Sequence, residues 1–186
     1  MSVDIVHLST EQLEAGLEHV KAAPADHGTL ELIVQRPDKD MRVVLSEAEL
    51  NHDEGLAGDN WNQRGSRRSA DGGPHPDMQL NIMNVRILEQ IAGSRDRMPL
   101  AGDQLIVDFD LSEANVPPWT KLAIGDAVIE VTDQPHNGCA KFSRRFGVEA
   151  HRFVNSPLGK ELHLRGINAR VVTAGTIRQG DTIRKI

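Results

Sequence analysis

The sequence predicts a mainly β, barrel-like or sandwich fold carrying a few short α-helices, and three observations carry that reading. Short β-rich runs recur along the chain, among them TLELIV (29–34) and LAI (122–124). Gly-Asp pairs at 125–126 and 180–181 punctuate such runs, as turns do in a compact barrel or sandwich. No series of strands alternating with long helical patterns is present, which argues against a doubly wound parallel sheet. A chain of 186 residues can bury a sizeable single core. One domain over 1–186 is therefore expected, with an N-terminal helix and hairpin in 1–50, a long loop in 51–76 and a core in 77–186.

In chain order, residues 9–23 read as an amphipathic helix. Ser9 and Gln12 have capping-box spacing, and Leu13, Leu17 and Val20 share a face. TLELIVQRP and MRVVL, parted by Pro37-Asp38-Lys39-Asp40, predict a hairpin, and Ser46–Leu50 a helical turn. The polar, Gly-rich stretch 51–76 reads as a functional or mobile connection, with a disordered surface loop over 64–73. MQLNIMN predicts a strand and VRILEQIAG a helix, with Asn81 and Asn84 at the junction as caps or ligand contacts. GDQLIVDFDL is a further strand. Lys121 to Val131 forms two strands around the Gly125-Asp126 turn, and Gly147–Phe153 a helix. A polar turn over 155–160 and a closing series of β-rich runs from ELHLRG to TIRKI complete the chain.

With 26% charged and 39% hydrophobic residues the composition is that of a soluble globular protein. No apolar run reaches membrane-spanning length, and the start MSVDIVHLSTEQ has neither a basic nor an apolar leader region, so no membrane association and no secretion are expected. The single cysteine cannot form an internal disulfide, which fits a reducing cytoplasmic compartment. A net charge of −6 argues against general nucleic-acid binding. Any anionic ligand must be held by a local group of cations.

Such a group follows that cysteine in PHNGCAKFSRRFG (135–147), where Lys141, Arg144 and Arg145 succeed Cys139 and Gly138 precedes it. A thiolate is the nucleophile and the metal ligand, and nearby cations favour it over the thiol. His136 adds positive charge or a proton acceptor. Two readings stand side by side: a small buried hydrophobe, as lone cysteines often are, or a reactive centre. The sequence has no Walker A motif, no Rossmann glycine fingerprint and no paired metal-ligand spacing. A structural zinc site is not expected, and one cysteine excludes a built-in iron–sulfur cluster. A Cys-His hydrolase using His136 or His151 is a third reading. A soft thiolate among cations suits ligation of a metal carried by an anionic organic cofactor, or transport of sulfur as a persulfide. In either case Lys141, Arg144, Arg145 and Arg165 are candidates to hold a phosphate.

From about Gly58 onward the chain resembles a MOSC domain, the family named for the C-terminal domain of molybdenum cofactor sulfurases. GLAGDNW (55–61), AGDQL (101–105), GDAVIEVTDQPHNGCAKF (125–142) and RGINARVVTAGTIRQGDTI (165–183) carry the likeness. It is similar to the small stand-alone bacterial members. AGDQL places Asp103 and Gln104 where relatives carry Glu and Asn in G-E-N-L. The resemblance implies a β-barrel-like fold and a function tied to the molybdenum cofactor (molybdopterin), with Cys139 as molybdenum ligand or sulfur carrier. It implies reduction of small N-hydroxylated substrates, or else a non-catalytic carrier role. Cofactor contacts are implied at Lys141, Arg145, Arg165 and Asn168, and Asp59 is a further cofactor-binding candidate. Proton delivery is expected from His136 or Asp59. No electron- or sulfur-supplying domain is present in the sequence, so an external electron donor or sulfur donor protein is expected, and assembly as a homodimer stays open.

Overall fold

The structure, a computed structural model, describes residues 7–186. Residues 1–6, on which the reading of the leader partly falls, lie outside the described residues. Among the described residues eleven strands form: β1 (His27–Gln35), β2 (Val43–Leu45), β3 (Glu47–Asn51), β4 (Gly55–Leu56), β5 (Leu80–Asn84), β6 (Leu105–Asp108), β7 (Lys121–Ile124), β8 (Ala127–Val131), β9 (Ile167–Thr173), β10 (Gly175–Arg178) and β11 (Thr182–Lys185). Seven of them run in the order β11-β7-β8-β9-β5-β6-β1, and β1 pairs back to β11, so the sheet closes into a barrel. Closure removes the open edges that an exposed sheet would present. The barrel bears out the mainly β expectation. β2 extends β1 as the predicted hairpin, and β10, β3 and β4 make a separate small sheet.

Strand alternation decides which residues fill the barrel. In β6, Leu105 and Val107 face the interior cluster and Ile106 the outer one. β1 carries an irregularity between Leu30 and Leu32 that shifts its register against β6. The extra residue flips the phase, so Leu30 and Ile33 point inward while Leu32 and Val34 meet the helices. Leu50, Leu56 and Ile177 of the small sheet join the interior cluster.

The outer cluster is built by α1 (Thr10–Ala15), α2 (Leu17–Lys21), α3 (Val85–Ala92), α4 (Ala140–Phe146) and α5 (Val148–Val154), and α6 (Pro157–Glu161) follows α5. α3 and the 3-10 segment Arg95–Ala101 form the crossover between β5 and β6, the one parallel neighbour pair in the barrel. Among the described residues no helix is long and apolar enough to cross a membrane.

Several local expectations are corrected. The helix expected over 9–23 keeps its Ser9–Gln12 capping box but divides at Gly16. Gln90 of α3 donates its side-chain amide to the carbonyls of Gln12 and Leu13, and a Cβ on Gly16 would stand 2.4 Å from that amide. Ser46–Leu50 is strand rather than helical turn, because Glu47 to Asn51 pairs with β10 and β4, and that long-range pairing overrides the helical preference of Glu, Ala and Leu. Residues 155–160 are not a plain turn: Ser156 caps α6 through its hydroxyl, with Pro157 in the first helical turn. ELHLRG, read as β-rich, is the end of α6 and the turn beyond it. The 64–73 loop is folded, with Ser66 N–H donating to Gly73 O at 2.9 Å and Arg68 Nη1 to Pro135 O at 3.1 Å.

Candidate functional site

The β8–α4 connection, Thr132 to Cys139, is held to the rest of the molecule at Gly138. Asn155 Oδ1 accepts Gly138 N–H at 2.9 Å, Asn155 Nδ2 donates to Gly138 O at 3.2 Å, and His151 Nε2 donates to the same carbonyl at 3.0 Å. A Cβ at position 138 would meet Asn155 Nδ2 at 3.0 Å and His151 Cδ2 at 3.2 Å, so only glycine lets these groups approach the backbone this closely. The clamp presents Cys139 as an exposed N-cap residue of α4. Among the described residues its thiol has no hydrogen-bond partner. Cys139 is therefore not the small buried hydrophobe of the first reading.

Close by, arginines and lysines from three separate chain segments gather around Lys141. A cavity of about 380 Å³ is lined by Arg36, Lys39, Asp40, Arg42, Arg64 and Lys141, among others. Lys141 Nζ and Arg145 Nη2 both reach Asp40 Oδ1, at 3.2 and 2.9 Å. Burial and the charges of Arg145, Arg36 and Arg64 hold the Arg42 guanidinium below its ordinary value, and Asp40 opposes them only partly. Its Nε is buried and has no partner. Arg64 is likewise held low by burial and by Arg36, against the opposing influence of Asp59 and Cys139. Positive charge here exceeds what Asp38 and Asp40 can balance, in a chain of net charge −6.

Beneath the cavity runs a buried polar network. Arg36 holds Asp59 in a two-pronged pair, both contacts at 2.8 Å, and its Nη1 donates to Asn81 Oδ1 and Gly102 O. Asp59 also accepts the backbone N–H of Arg36 and Trp61. Gln104 accepts Asn81 N–H at 2.7 Å and donates to Gln79 O at 2.9 Å. Asn81 Nδ2 donates to Asn168 Oδ1 at 2.6 Å, and Asn168 Nδ2 to Gln134 O at 3.0 Å. Arg165 Nη1 reaches both oxygens of Asp103, whose Oδ1 also accepts His136 Nε2–H at 2.8 Å. Burial would raise the Asp103 carboxyl, but Arg165 and His136 outweigh it and hold it at about 2. Asp103 is thus ionised and can only accept, which puts the proton of His136 on Nε2. Burial, then Arg165, push the His136 pKa down, so the ring is neutral.

The predicted residues fall into two groups. Cys139, Lys141 and Arg145 come together with the cavity rim. His136, Arg165, Asn168 and Asp59 form part of the network below it, each engaged by protein partners. Arg165 is 6% exposed and spent on Asp103, Ala101 O and the face of Phe142. Asp59 receives so many donors that it anchors Arg36 rather than offering a proton. Arg36, Arg42 and Arg64 were missed by sequence reasoning, because they lie 103, 97 and 75 residues before Cys139 and only the fold gathers them. Arg36 follows directly on β1 and Arg42 directly precedes β2, so the hairpin carries both. Among the described residues no group of three or more His, Cys, Asp or Glu is placed to hold a metal ion. No hydrogen bond among them joins Cys139 to a histidine, and His151 is occupied by Gly138.

The MOSC domain family matches residues 73–184. No curated protein sequence matches the chain. Among solved structures, the YuaD protein from Bacillus subtilis is similar over 84% of this chain and 94% of its own, with a TM-score of 0.59 at 14% identity. YiiM from Geobacillus stearothermophilus is similar over 86% of this chain and 75% of its own, with TM-score 0.59 and 14% identity. YiiM from Escherichia coli is similar over 85% and 69%, with TM-score 0.52 and 21% identity. At these identities the likeness to the solved structures is one of fold.

Proposed function

The chain belongs to the MOSC domain family, and from that premise we propose that it binds the molybdenum cofactor, with Cys139 as the protein ligand to molybdenum, and reduces N-hydroxylated small molecules. The observation that carries the reading is an exposed, unpartnered thiol beside a cavity whose cations outnumber its carboxylates. That donor set fits a phosphate-bearing group that brings its own metal. Arg42 has a buried N–H with no acceptor, and Arg42 and Arg64 are both held below their ordinary values by neighbouring guanidinium charge that an anion would relieve. Arg42, Arg64, Lys141 and Arg145 would hold the phosphate. Arg36, fixed by Asp59, would add charge from below. Once bound, the cofactor would supply two-electron redox chemistry at molybdenum. His136, neutral and oriented by Asp103, would hold or pass a proton at Nδ1. Electrons would come from outside this domain, since its one cysteine cannot hold an iron–sulfur cluster.

The test is molybdenum and pterin analysis of wild type and Cys139→Ser, each produced in cells able to make the cofactor. Near-stoichiometric molybdenum in wild type and its loss in the variant is the expected result, followed by N-hydroxy reduction by the loaded protein alone. Metal-free wild type from such cells would reject cofactor binding and turn attention to a Cys139 persulfide carrier.

A further inference from the structure

A second cavity, of about 410 Å³, is lined along the Thr132–Asn137 part of the connection and by Arg165 and Asn168, and none of Cys139, Arg42, Arg64, Lys141 and Arg145 lines it. Pro118, Val131, Pro135 and Ile167 give it apolar walls, and His136 and His163 stand among its lining residues. Both imidazoles have fixed tautomers, and for the same reason. His136 Nε2 faces the ionised Asp103, which only accepts. His163 Nδ1 faces the carbonyl of Leu111 at 2.7 Å, which also only accepts. The proton of each ring is therefore committed, and each keeps one nitrogen lone pair: Nδ1 of His136 and Nε2 of His163. Neither lone pair has a hydrogen-bond partner among the described residues.

The backbone is sharply bent at His163, and both rings line the one cavity. His163 sits at φ +46°, in the left-handed region that a histidine occupies at some cost. Its carbonyl accepts Gly166 N–H at 2.7 Å, and Gly166, at φ +105°, lies against the His136 ring, where a Cβ would stand 3.2 Å from Cδ2. Arg165, between them in the chain, also lines the cavity. Its charge is neutralised by Asp103, and its Nε is buried with no acceptor. Glu113, Asp133 and Lys160 also line the cavity, and its apolar walls and two imidazole acceptors suit a ring bearing hydroxyl groups, which can donate and accept together as an ammonium cannot.

We propose that this cavity is a binding site for a small uncharged hydroxylated ring, whose O–H groups donate to His136 Nδ1 and His163 Nε2. Cys139 does not line it, but it shares His136 with the proposed reaction, so resorcinol binding retained in Cys139→Ser distinguishes this site from cofactor binding.

The probe is resorcinol, with 1,3-dimethoxybenzene as a ring of the same substitution pattern that has no O–H. Imidazole nitrogens are followed by long-range nitrogen–proton NMR on the full chain. Resorcinol should move His136 Nδ1 and His163 Nε2 saturably, and the dimethoxy compound should move neither. His163→Asn, which tolerates the left-handed backbone, should weaken resorcinol binding about tenfold, the worth of one well-made hydrogen bond. Cys139→Ser should bind resorcinol as wild type does. The proposal is overturned if resorcinol leaves both nitrogens unmoved up to its solubility, or if the dimethoxy compound shifts them equally. It is also overturned if folded His163→Asn, checked by its amide spectrum, binds with undiminished affinity. Should that variant not fold, the matched pair of probes on wild type decides.

Discussion

Arg165 Nη1 lies 2.9 and 2.7 Å from the two oxygens of Asp103, and both side chains are buried, at 7% and 0% exposure. Such a pair is costly to assemble and costlier to break, because removing one partner strands the other charge away from water. It also settles the state of His136, which shares Asp103 Oδ1. Three chain segments far apart in sequence are thereby fixed: the turn before β6, the connection after β8 and the entry to β9.

Arg165→Met should therefore cost about 3–5 kcal/mol of unfolding free energy. Acid should act through the same groups. The Asp103 carboxyl stands at about 2 in the folded chain against an ordinary 3.8, so its contribution is complete above pH 4 and is lost as pH falls toward 2. That loss is about 2 kcal/mol. His136 is also depressed, from 6.5, so the unfolded chain takes up a proton that the native ring refuses, and stability begins to decline below that pH. Urea denaturation from pH 8 to pH 2 should show both steps. A flat profile above pH 4 would reject the His136 contribution, and none below it would reject that of Asp103.

Gly166→Ala should be severe, with a loss of about 3 kcal/mol or more. Its Cβ would fall 2.1 Å from Ile82 O, and the backbone is at φ +105°. Gly180 supplies the control. At φ +93° it has open space around the added carbon, so Gly180→Ala should cost only the conformational strain, about 1–2 kcal/mol. Equal losses in thermal or urea unfolding would mean that the close approach to Ile82 is relaxed cheaply.

The barrel and its Cys139 limb were legible because their signals are local. Gly125-Asp126 does turn β7 into β8, and Cys139 stands as the N-cap residue of α4 beyond β8. What stayed hidden depends on contacts between distant segments. Nothing near Arg36 tells that Asp59 will pair with it, and nothing near Asp40 tells that Lys141 and Arg145 will converge on one oxygen. Strand β3 was read as helical for the same reason: its partners are β10 and β4, and the β10 pairing runs from Glu47 to Leu50 against a segment near the C-terminus. Arg165 looked like a free cation in the sequence, and only the fold shows that Asp103 already holds it.

Asp40 occupies the cations that the proposed phosphate would need. It is 51% exposed, sits at φ +60° in the β1–β2 connection, and is held low first by its hydrogen bond from Lys141. Asp40→Asn should leave the fold unchanged and tighten binding of inorganic pyrophosphate roughly threefold, by freeing Lys141 and Arg145. Calorimetric titration at low salt is the measurement. Weaker pyrophosphate binding by the variant would mean that Asp40 positions the cations rather than competing for them.

Arg36 and Arg64 line the same cavity yet should separate cleanly on substitution. Arg36 is 5% exposed and carries Asp59, so Arg36→Met leaves a buried carboxylate unpaired and should cost about 3–5 kcal/mol of stability. Arg64 is exposed and makes no ion pair among the described residues, so Arg64→Met should change stability by no more than about 0.5 kcal/mol. Its pyrophosphate affinity should nevertheless fall roughly fivefold, and more steeply at low ionic strength, because its charge adds to those of Arg42 and Arg36 at the cavity mouth. Urea unfolding and calorimetry on the two variants give four numbers. A stability loss in Arg64→Met equal to that in Arg36→Met would make both arginines structural and remove the cavity's claim to an anion.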